Sequence, residues 1–371
     1  MASSLAQWGN DLYTGKRSYD IVGHRRRWYA VSITLVVLTS LLLLTRQLNP
    51  GIEFRGGAEF IVGGSQSTSQ QLATDAVTSV LPTEVPRVSV VGGSNVRVQT
   101  GALDTSQSRA VARALATAYD VPVTKISSNI VGPSWGADVS SKAVRGLVVF
   151  LLLTAVVMTL YFRAWRMAVA ALVALAHDLV ITVGIYSGIG WEVSPATVIG
   201  FLTILGYSIY DTVVVFDKVR ENTHNVLDQK RYTYAEMANL AVNQTLVRSI
   251  NTSVVALLPV SAILFIGAFL LGAGTLRDIA LALFIGLIVG AFSSIYLATP
   301  LQVTLRNREP LIAEHTAKVL AAREAAAAAA GTDTSTGRPL VHVGAPVPGT
   351  HLGTAAQPKR RKPNRPTGRK P

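Results

Sequence analysis

Residues 195–216 read PATVIGFLTILGYSIYDTVVVF, a run that carries one acid, Asp211, and no base. About 20 apolar residues are enough to cross the hydrocarbon core of a bilayer. A carboxylate at that depth costs about 2.5–3.5 kcal/mol even on lenient insertion scales. The run therefore predicts a transmembrane helix, and Asp211 within it is a candidate site for ion or proton movement.

The composition of the whole chain is that of a polytopic membrane protein. Of 371 residues, 49% are hydrophobic and 15% are charged, whereas soluble domains are about 25% charged. The absence of cysteine excludes disulfides, thiolate metal sites and cysteine nucleophiles. Neither a metal-ligand spacing nor a phosphate loop GxxxxGK[ST] nor a Gly-x-Ser-x-Gly motif occurs, so we expect neither an enzyme nor a cofactor.

Six runs are long and apolar enough to span a membrane, and the first is predicted to remain as an uncleaved anchor. They cover residues 28–46, 144–162, 167–189, 195–216, 249–271 and 278–299. Lys and Arg concentrate before the first run, after the second and after the fourth, whereas the short connections 190–194 and 272–277 hold none and one. The positive-inside rule then predicts that both termini lie in the cytoplasm.

That topology places residues 47–141 outside the membrane as one domain. The pattern predicts a strand at 52–62, a helix at 68–81, a hairpin of 86–91 and 95–100, a helix at 105–119 and a strand at 123–131. This order is the β-α-β-β-α-β split motif of ferredoxin-like domains. The sequence thus predicts six transmembrane helices with one external ferredoxin-like α+β domain between the first two.

The remaining segments are predicted to be cytoplasmic. They are an N-terminal segment, 1–27, and an amphipathic segment at 218–248 within the helical region 142–300. In the latter, a helix on the membrane surface is predicted from apolar residues at helical spacing, namely Tyr234, Met237, Leu240, Ala241 and Leu246. The third is a basic tail, 301–371, with twelve Lys and Arg against four Asp and Glu, largely disordered from residue 331 onward. The tail serves as a topology signal, or it is attracted to anionic lipid or to RNA.

Polar residues inside the spans outline a candidate proton relay. Tyr207 and Ser208 precede Asp211 by four and three residues, so the three side chains share a helix face. Arg248 begins the fifth span at a depth from which it can reach the carboxylate. A proton would be held or released as the arginine moves away from or toward the acid. The alternative is a static ion pair that fixes helix register.

Two further features lie in the third and sixth spans. His177 and Asp178 fall near the middle of the third span, where they either join the relay or hydrogen-bond neighbouring spans. Gly286 and Gly290 form a Gly-xxx-Gly pair, which permits close contact between helices within the chain or between two copies.

Five motifs match one family in order and at the expected span positions. They are GIEFRGG (51–57), VGPSWGADVSSKAVRGL (131–147), ALAHDLVITVGI (174–185), GYSIYDTVVVFDKVREN (206–222) and NQTLVRSINTS (243–253). Over residues 28–300 the chain resembles the SecD/SecF family. The single small external domain is similar to that of the SecF branch, and Glu53 stands where the family usually has aspartate.

The resemblance implies a multi-pass subunit of the bacterial plasma (inner) membrane that works with SecD beside the SecYEG channel, after SecA has pushed a preprotein through. It would use the proton-motive force to complete export, and its six spans would form half of an RND-type arrangement. Asp211 and Arg248 match the positions that the family assigns to proton transport. The partners that it implies are SecD, SecYEG, SecA indirectly, YajC and the preprotein. Anionic lipids are a further expected partner, through the charge of the basic tail alone.

Gly51, Gly56 and Gly57 surround Glu53 just after the first span, and we expect them to form a hinge because glycine adopts backbone geometries that other residues resist. An ordinary tight turn is the alternative. Two other functions remain open from the residues alone. One is half of an RND-type exporter of small molecules or lipids, and the other is a non-transporting assembly factor of the translocon.

Overall fold

The computed structural model describes residues 2–91, 95–270 and 274–330. Its helices are α1 (Ala2–Tyr13), α2 (Arg25–Arg46), α3 (Ile52–Arg55), α4 (Gln70–Val80), α5 (Thr105–Ala118), α6 (Pro133–Phe162), α7 (Trp165–Ile189), α8 (Pro195–Thr223), α9 (Tyr234–Ala262), α10 (Gly274–Ser293), α11 (Thr299–Arg306) and α12 (Pro310–Ala330). Its strands are β1 (Asn49–Pro50), β2 (Gly57–Val62), β3 (Arg87–Val91), β4 (Asn95–Thr100), β5 (Ile126–Val131) and β6 (Glu192–Val193). Among the described residues, six helices are long and apolar enough to cross a membrane, and they correspond to the six predicted spans.

Local sequence fixes where the long helices begin. Ser194 caps α8 and Thr233 caps α9, each through a reciprocal capping box with the residue three positions on. Pro195 follows the first of these caps at the first helical position, where its missing N–H costs nothing. Residues 263–270 and 294–298 continue α9 and α10 as wide π-helical turns.

The segment between α2 and α6 forms a sheet domain, residues 57–131. Its four strands are all antiparallel and lie in the order β3-β4-β2-β5. The inward side chains of β2 and β4, among them Phe60 and Val98, are fully buried against α4 and α5. This order confirms the predicted ferredoxin-like split motif.

Two strand predictions were wrong at their starts. Residues 52–55 form the short helix α3, because Gly56 and Gly57 then turn the chain with φ of +77° and +145° before β2 begins. Residues 123–125 form a 3₁₀ turn, so the last strand starts only at Ile126. The hairpin prediction holds for β3 and β4, and its turn, 92–94, lies outside the described residues.

Small residues bring α8 and α10 into close contact. A Cβ added at Gly286 would lie 2.2 Å from the side chain of Ile204, and one at Gly200 would lie 2.7 Å from Ala282. A Cβ at Gly290 would lie 3.1 Å from the Cβ of Ser208. The predicted Gly-xxx-Gly pair therefore packs within this chain, against α8.

The predicted amphipathic surface helix between the fourth and fifth spans does not exist as a separate element. Residues 234–262 form one continuous helix, α9. Its apolar stripe packs on protein: Tyr234 and Ala238 are buried with Val22, Val219 and side chains of α11 and α12. Arg323 of α12 also bonds Glu236 at 2.7 Å. The predicted apolar face of this helix exists, but it packs against other segments of the chain and not against the membrane surface. The predicted disorder of 331–371 falls outside the described residues.

Glycine packing can be tested with a matched pair of substitutions. Gly286→Val should destabilise the bundle by about 1–3 kcal/mol, the usual cost of overpacking, because the added atoms overlap Ile204. Gly146→Val is the control, since nothing lies within 4 Å of its added Cβ. The measurement is the thermal unfolding midpoint of each variant in mild detergent. Equal midpoints for the two variants would contradict the packing.

Candidate functional site: two carboxylates in the helix bundle

Asp211 lies inside the bundle with 4% of its surface exposed. Ser249 of α9 donates a hydrogen bond to its Oδ1 at 2.9 Å. Ser294, at the start of the second wide turn, donates to its Oδ2 at 2.6 Å. Each carboxylate oxygen therefore has one hydroxyl donor, from two different neighbouring helices. Hydroxyl donors stabilise a carboxylate without adding a compensating charge.

Asp178 forms a second buried carboxylate site, on α7. It is fully buried, and its Oδ1 lies 3.0 Å from Nδ1 of His177. Its Oδ2 accepts from Ser208 of α8 at 2.6 Å and from Ser293 of α10 at 2.7 Å. The Nε2 atom of His177 is buried and has no hydrogen-bond partner among the described residues. Both predicted acids thus lie in the interior, each with a set of polar neighbours.

The structure does not bring Arg248 to Asp211. Ser249 faces the carboxylate, and its neighbour Arg248 therefore points about 100° away around α9. Its Nη2 lies 3.4 Å from the hydroxyl of Tyr210, and no ion pair between Arg248 and Asp211 occurs in the described bundle. Arg248 is adjacent in the chain to a residue that contacts Asp211, but its own guanidinium does not contact the carboxylate.

The two hydroxyls that were expected beside Asp211 have other partners. Ser208 donates to Asp178, and the hydroxyl of Tyr207 donates to the backbone carbonyl of Thr252 at 2.8 Å. A three-residue step leaves an offset of about 60° around a helix, which is enough to direct Ser208 to α7 while Asp211 faces α9 and α10.

Sequence reasoning missed the three serines that complete the site. Ser249, Ser293 and Ser294 are each fully buried and each donates to a carboxylate. The signal was available, because Ser293-Ser294 is a polar pair within the apolar run LIVGAFSSIYLA. A polar pair in a span indicates a bundle interior, since such residues bond across helices instead of facing lipid.

A cleft of about 900 Å³ opens beside α8 and α9, and Arg248 and Asp217 both line it. Tyr161 of α6 and Tyr13 of α1 lie on its other sides. Along α9 its lining runs from Gln244 to Thr252 and includes Arg248, whereas Asp211 and Ser249 are not among the lining residues.

The sheet domain is joined to the bundle by a charged junction around Arg97. Arg97 Nε lies 2.6 Å from Oε2 of Glu59, and its Nη1 lies 2.8 Å from Oε2 of Glu192 in the connection between α7 and α8. Gln99 donates to the same two carboxylates at 3.0 and 2.8 Å. The parallel pairing of β1 with β6 adds a backbone connection at the same place.

Gly51, Gly56 and Gly57 lie at this junction and leave no room for side chains. A Cβ at Gly56 would lie 2.9 Å from the backbone of Pro133, and one at Gly57 would lie 2.5 Å from the carbonyl oxygen of Thr100. Gly51 donates its N–H to Val193 in the α7–α8 connection. The motif therefore allows α6, the α7–α8 connection and the sheet domain to meet closely.

Glu53 is half-buried in the same junction. Burial raises the pKa of its carboxyl above the ordinary value, and the nearby carboxylates of Glu192 and Glu59 act in the same direction. Arg97 opposes them. Within the described residues, no group of three or more His, Asp and Glu side chains is arranged to hold a metal ion.

These features define a class: a six-helix membrane bundle with carboxylates buried in its interior and a small α/β domain at one end. The comparisons with known proteins then give the family. Residues 111–308 match the model of the protein export membrane protein SecD/SecF, C-terminal region. The chain belongs to the SecD/SecF family of protein-export membrane proteins.

Individual relatives agree with this assignment. The protein translocase subunit SecF of Streptomyces coelicolor is 47% identical over 88% of this chain and 87% of its own length. The protein translocase subunit SecDF of Thermus thermophilus is 41% identical over 52% of this chain and 25% of its own length. The crystal structure of SecDF, a translocon-associated membrane protein from Thermus, superposes with a TM-score of 0.67 and 32% identity, covering 79% of this chain and 39% of that one.

The charged junction yields a prediction for the pH dependence of stability. Because the folded chain holds the Glu53 proton more tightly than the unfolded chain, stability falls as pH rises from the ordinary glutamate value through the raised one. Glu53→Gln cannot ionise, so this part of the fall should disappear and the variant should be at least as stable at neutral pH.

The measurement is the unfolding midpoint of the chain in mild detergent at pH values between about 4 and 8, which bracket the titration. Glu324→Gln, at an exposed position on α12, is the control and should leave the pH profile unchanged. A Glu53→Gln profile parallel to that of the unmodified chain would show that Glu53 is not destabilised by its surroundings.

Proposed function

We propose that this protein is the SecF-type subunit of a Sec protein translocase and acts together with a separate SecD chain. The family assignment and the translocase subunits among its relatives support this. The relative that unites both parts in one chain is named SecDF, and this chain covers 39% of its solved structure. A separate SecD would supply the remaining part. In this role the chain completes preprotein export after SecA-driven translocation through SecYEG, with YajC as a further partner.

The driving step is the binding and release of a proton at Asp211. The observation that carries it is an acid enclosed in the bundle, to which the described residues supply hydroxyl hydrogen bonds and no ion pair. Moving such a group between charged and neutral forms changes the free energy of every helix contact around it. Each proton that crosses the membrane supplies about 2.3 kcal/mol per 100 mV, which is enough to bias a conformational cycle.

Arg248 acts as the counter-charge that enters and leaves the site. It is exposed in the cleft and makes one long contact with Tyr210, so little holds it in place. A rotation of α9 would bring its guanidinium toward Asp211 and displace Ser249. The arriving cation would favour the ionised acid and release the proton. Asp178 and His177 form a second proton-holding group one helix away.

The conformational change would reach the preprotein through the sheet domain. The two helices that carry Asp178 and Asp211 are joined by the connection that bonds Arg97. With both termini in the cytoplasm, that domain lies on the outer side, where it would hold or release the emerging chain. The basic tail would bind anionic lipid at the cytoplasmic face.

Asp211→Asn should abolish the part of preprotein export that depends on the proton gradient, because the amide cannot bind and release a proton. The measurement is completion of export into inverted membrane vesicles with and without a gradient, at matched levels of the variant and of SecD. Asp217→Asn is the control, since it is the same change at an exposed position on the same helix.

Export at the unmodified rate in the Asp211→Asn variant would contradict proton coupling and favour an assembly factor. Copurification in mild detergent distinguishes the translocase subunit from the remaining alternative, an exporter of small molecules or lipids. If SecD is absent and small molecules or lipids are transported instead, the exporter interpretation replaces the translocase.

The proposed topology can be tested directly because the natural chain has no cysteine. Val85→Cys lies in the sheet domain and Leu311→Cys on α12, and both positions are well exposed, at 86% and 67%. In intact cells a membrane-impermeant maleimide should label the first and not the second, while both react after permeabilisation. Labelling of Leu311→Cys in intact cells would reverse the assigned orientation.

A further inference from the structure

Asp178 and Asp211 are both hydrogen-bonded by residues at the junction of α10 with a π-helical turn. Helix α10 ends at Ser293, and residues 294–298 form a wide π-helical turn before α11. Such turns are rare and frequently occur at functional sites. The hydroxyl of Thr299 lies 3.4 Å from the carbonyl oxygen of Ser294 and supports the turn from its far side.

Adjacent residues at this turn reach different acids. The Oγ atom of Ser293 lies 2.7 Å from Asp178 on α7, and that of Ser294 lies 2.6 Å from Asp211 on α8. One peptide bond therefore joins the donors of the two carboxylates. A shift of this turn cannot move one donor without moving the other.

Each serine also has a second acceptor at hand. Ser293 Oγ lies 3.2 Å from the carbonyl oxygen of Gly290, and Ser294 Oγ lies 3.2 Å from that of Ala291. A hydroxyl has one proton to donate. When a carboxylate becomes protonated, its serine can therefore turn to its own helix without leaving a buried donor unpaired.

Gly290 keeps the space beside this arrangement open. A Cβ there would lie 3.6 Å from Oδ2 of Asp178 and 3.1 Å from Cβ of Ser208. A larger side chain would press on both the acid and its second donor. Room for the serine to turn is thus part of the packing between α8 and α10.

We propose that Ser293 and Ser294 are positioning residues that couple the protonation of Asp178 to that of Asp211 through the wide turn. This inference rests on the proposed proton-driven function and adds a second acid and its connection to the first. A proton on one carboxyl releases one serine, shifts the turn and weakens the donor of the other carboxyl. The two acids then exchange protons in sequence instead of independently.

Four other charged or titratable side chains of the described bundle lie near the pair. His177 faces Asp178 from the same helix. Tyr207 and Tyr210 lie on α8 near Asp211, and Arg248 lies on α9 beside Tyr210. None of them contacts both acids, so coupling through a shared charged neighbour is not the explanation.

The decisive test uses a serine that does not touch Asp211. The full chain with its SecD partner is reconstituted in liposomes, and the infrared carboxyl band that Asp211→Asn removes is followed as a function of pH. Ser293→Ala should shift the midpoint of this Asp211 band by roughly half a unit, a fraction of one hydrogen bond's contribution. Ser293→Thr, which keeps the hydroxyl, should restore it.

Thr223→Val is the control, because this buried hydroxyl donates to the carbonyl of Val219 in its own helix and bonds neither acid nor any of their donors. It should leave the Asp211 midpoint in place. Thr299→Val keeps the side-chain shape but removes the support of the turn, and it should shift the bands of both acids. If Ser293→Ala fails to assemble, Thr299→Val provides the test in its place.

An unchanged Asp211 midpoint in both Ser293→Ala and Thr299→Val would overturn the coupling and leave the serines as local donors. That result is distinct from failure of the proposed function, which requires Asp211→Asn to export normally. A shift in the Asp178 band alone also counts against coupling.

Discussion

The need to provide hydrogen-bond donors for two acids in a membrane interior governs the packing of this bundle. An unpaired buried carboxylate would cost several kcal/mol, so the helices around it must deliver hydroxyl groups within bonding distance. Asp178 receives them from α8 and α10, and Asp211 receives them from α9 and the turn after α10. Four helices are thereby held in one register. The glycines at the α8–α10 contact follow from the same need, because they allow the close approach that short serine side chains require.

Much of this arrangement could be predicted from the sequence, because the signals are local. The six spans follow from runs of apolar residues, and the order of strands and helices in the sheet domain follows from turn residues and alternation. The positions of Asp178 and Asp211 in the interior follow from the cost of exposing charge to lipid. Each of these conclusions depends on a short segment and not on how the segments rotate against one another.

The rotation of each helix about its own axis could not be predicted. A side chain one residue away on a helix points in another direction, so Ser249 and not Arg248 faces Asp211. For the same reason Ser208 donates a hydrogen bond to Asp178, although its spacing in the sequence predicted that it would lie beside Asp211. The apolar stripe of α9 was recognised, but whether α11, α12 or lipid covers it depends on contacts far away in the chain. A wide turn at Ser294 carries no sequence signature beyond two polar residues.

The length of α8 has a mechanical consequence. Asp211 lies 16 residues after Pro195, which is about 24 Å along the helix axis. The start of α8 is pinned to the sheet domain through Glu192, Arg97 and the β1–β6 pair. A tilt of α8 about the hydrogen-bonded carboxylate would therefore move the end of the helix that contacts the sheet domain. A tilt of about 5° around Asp211 would displace the start of α8, and the contacts it makes with the sheet domain, by about 2 Å.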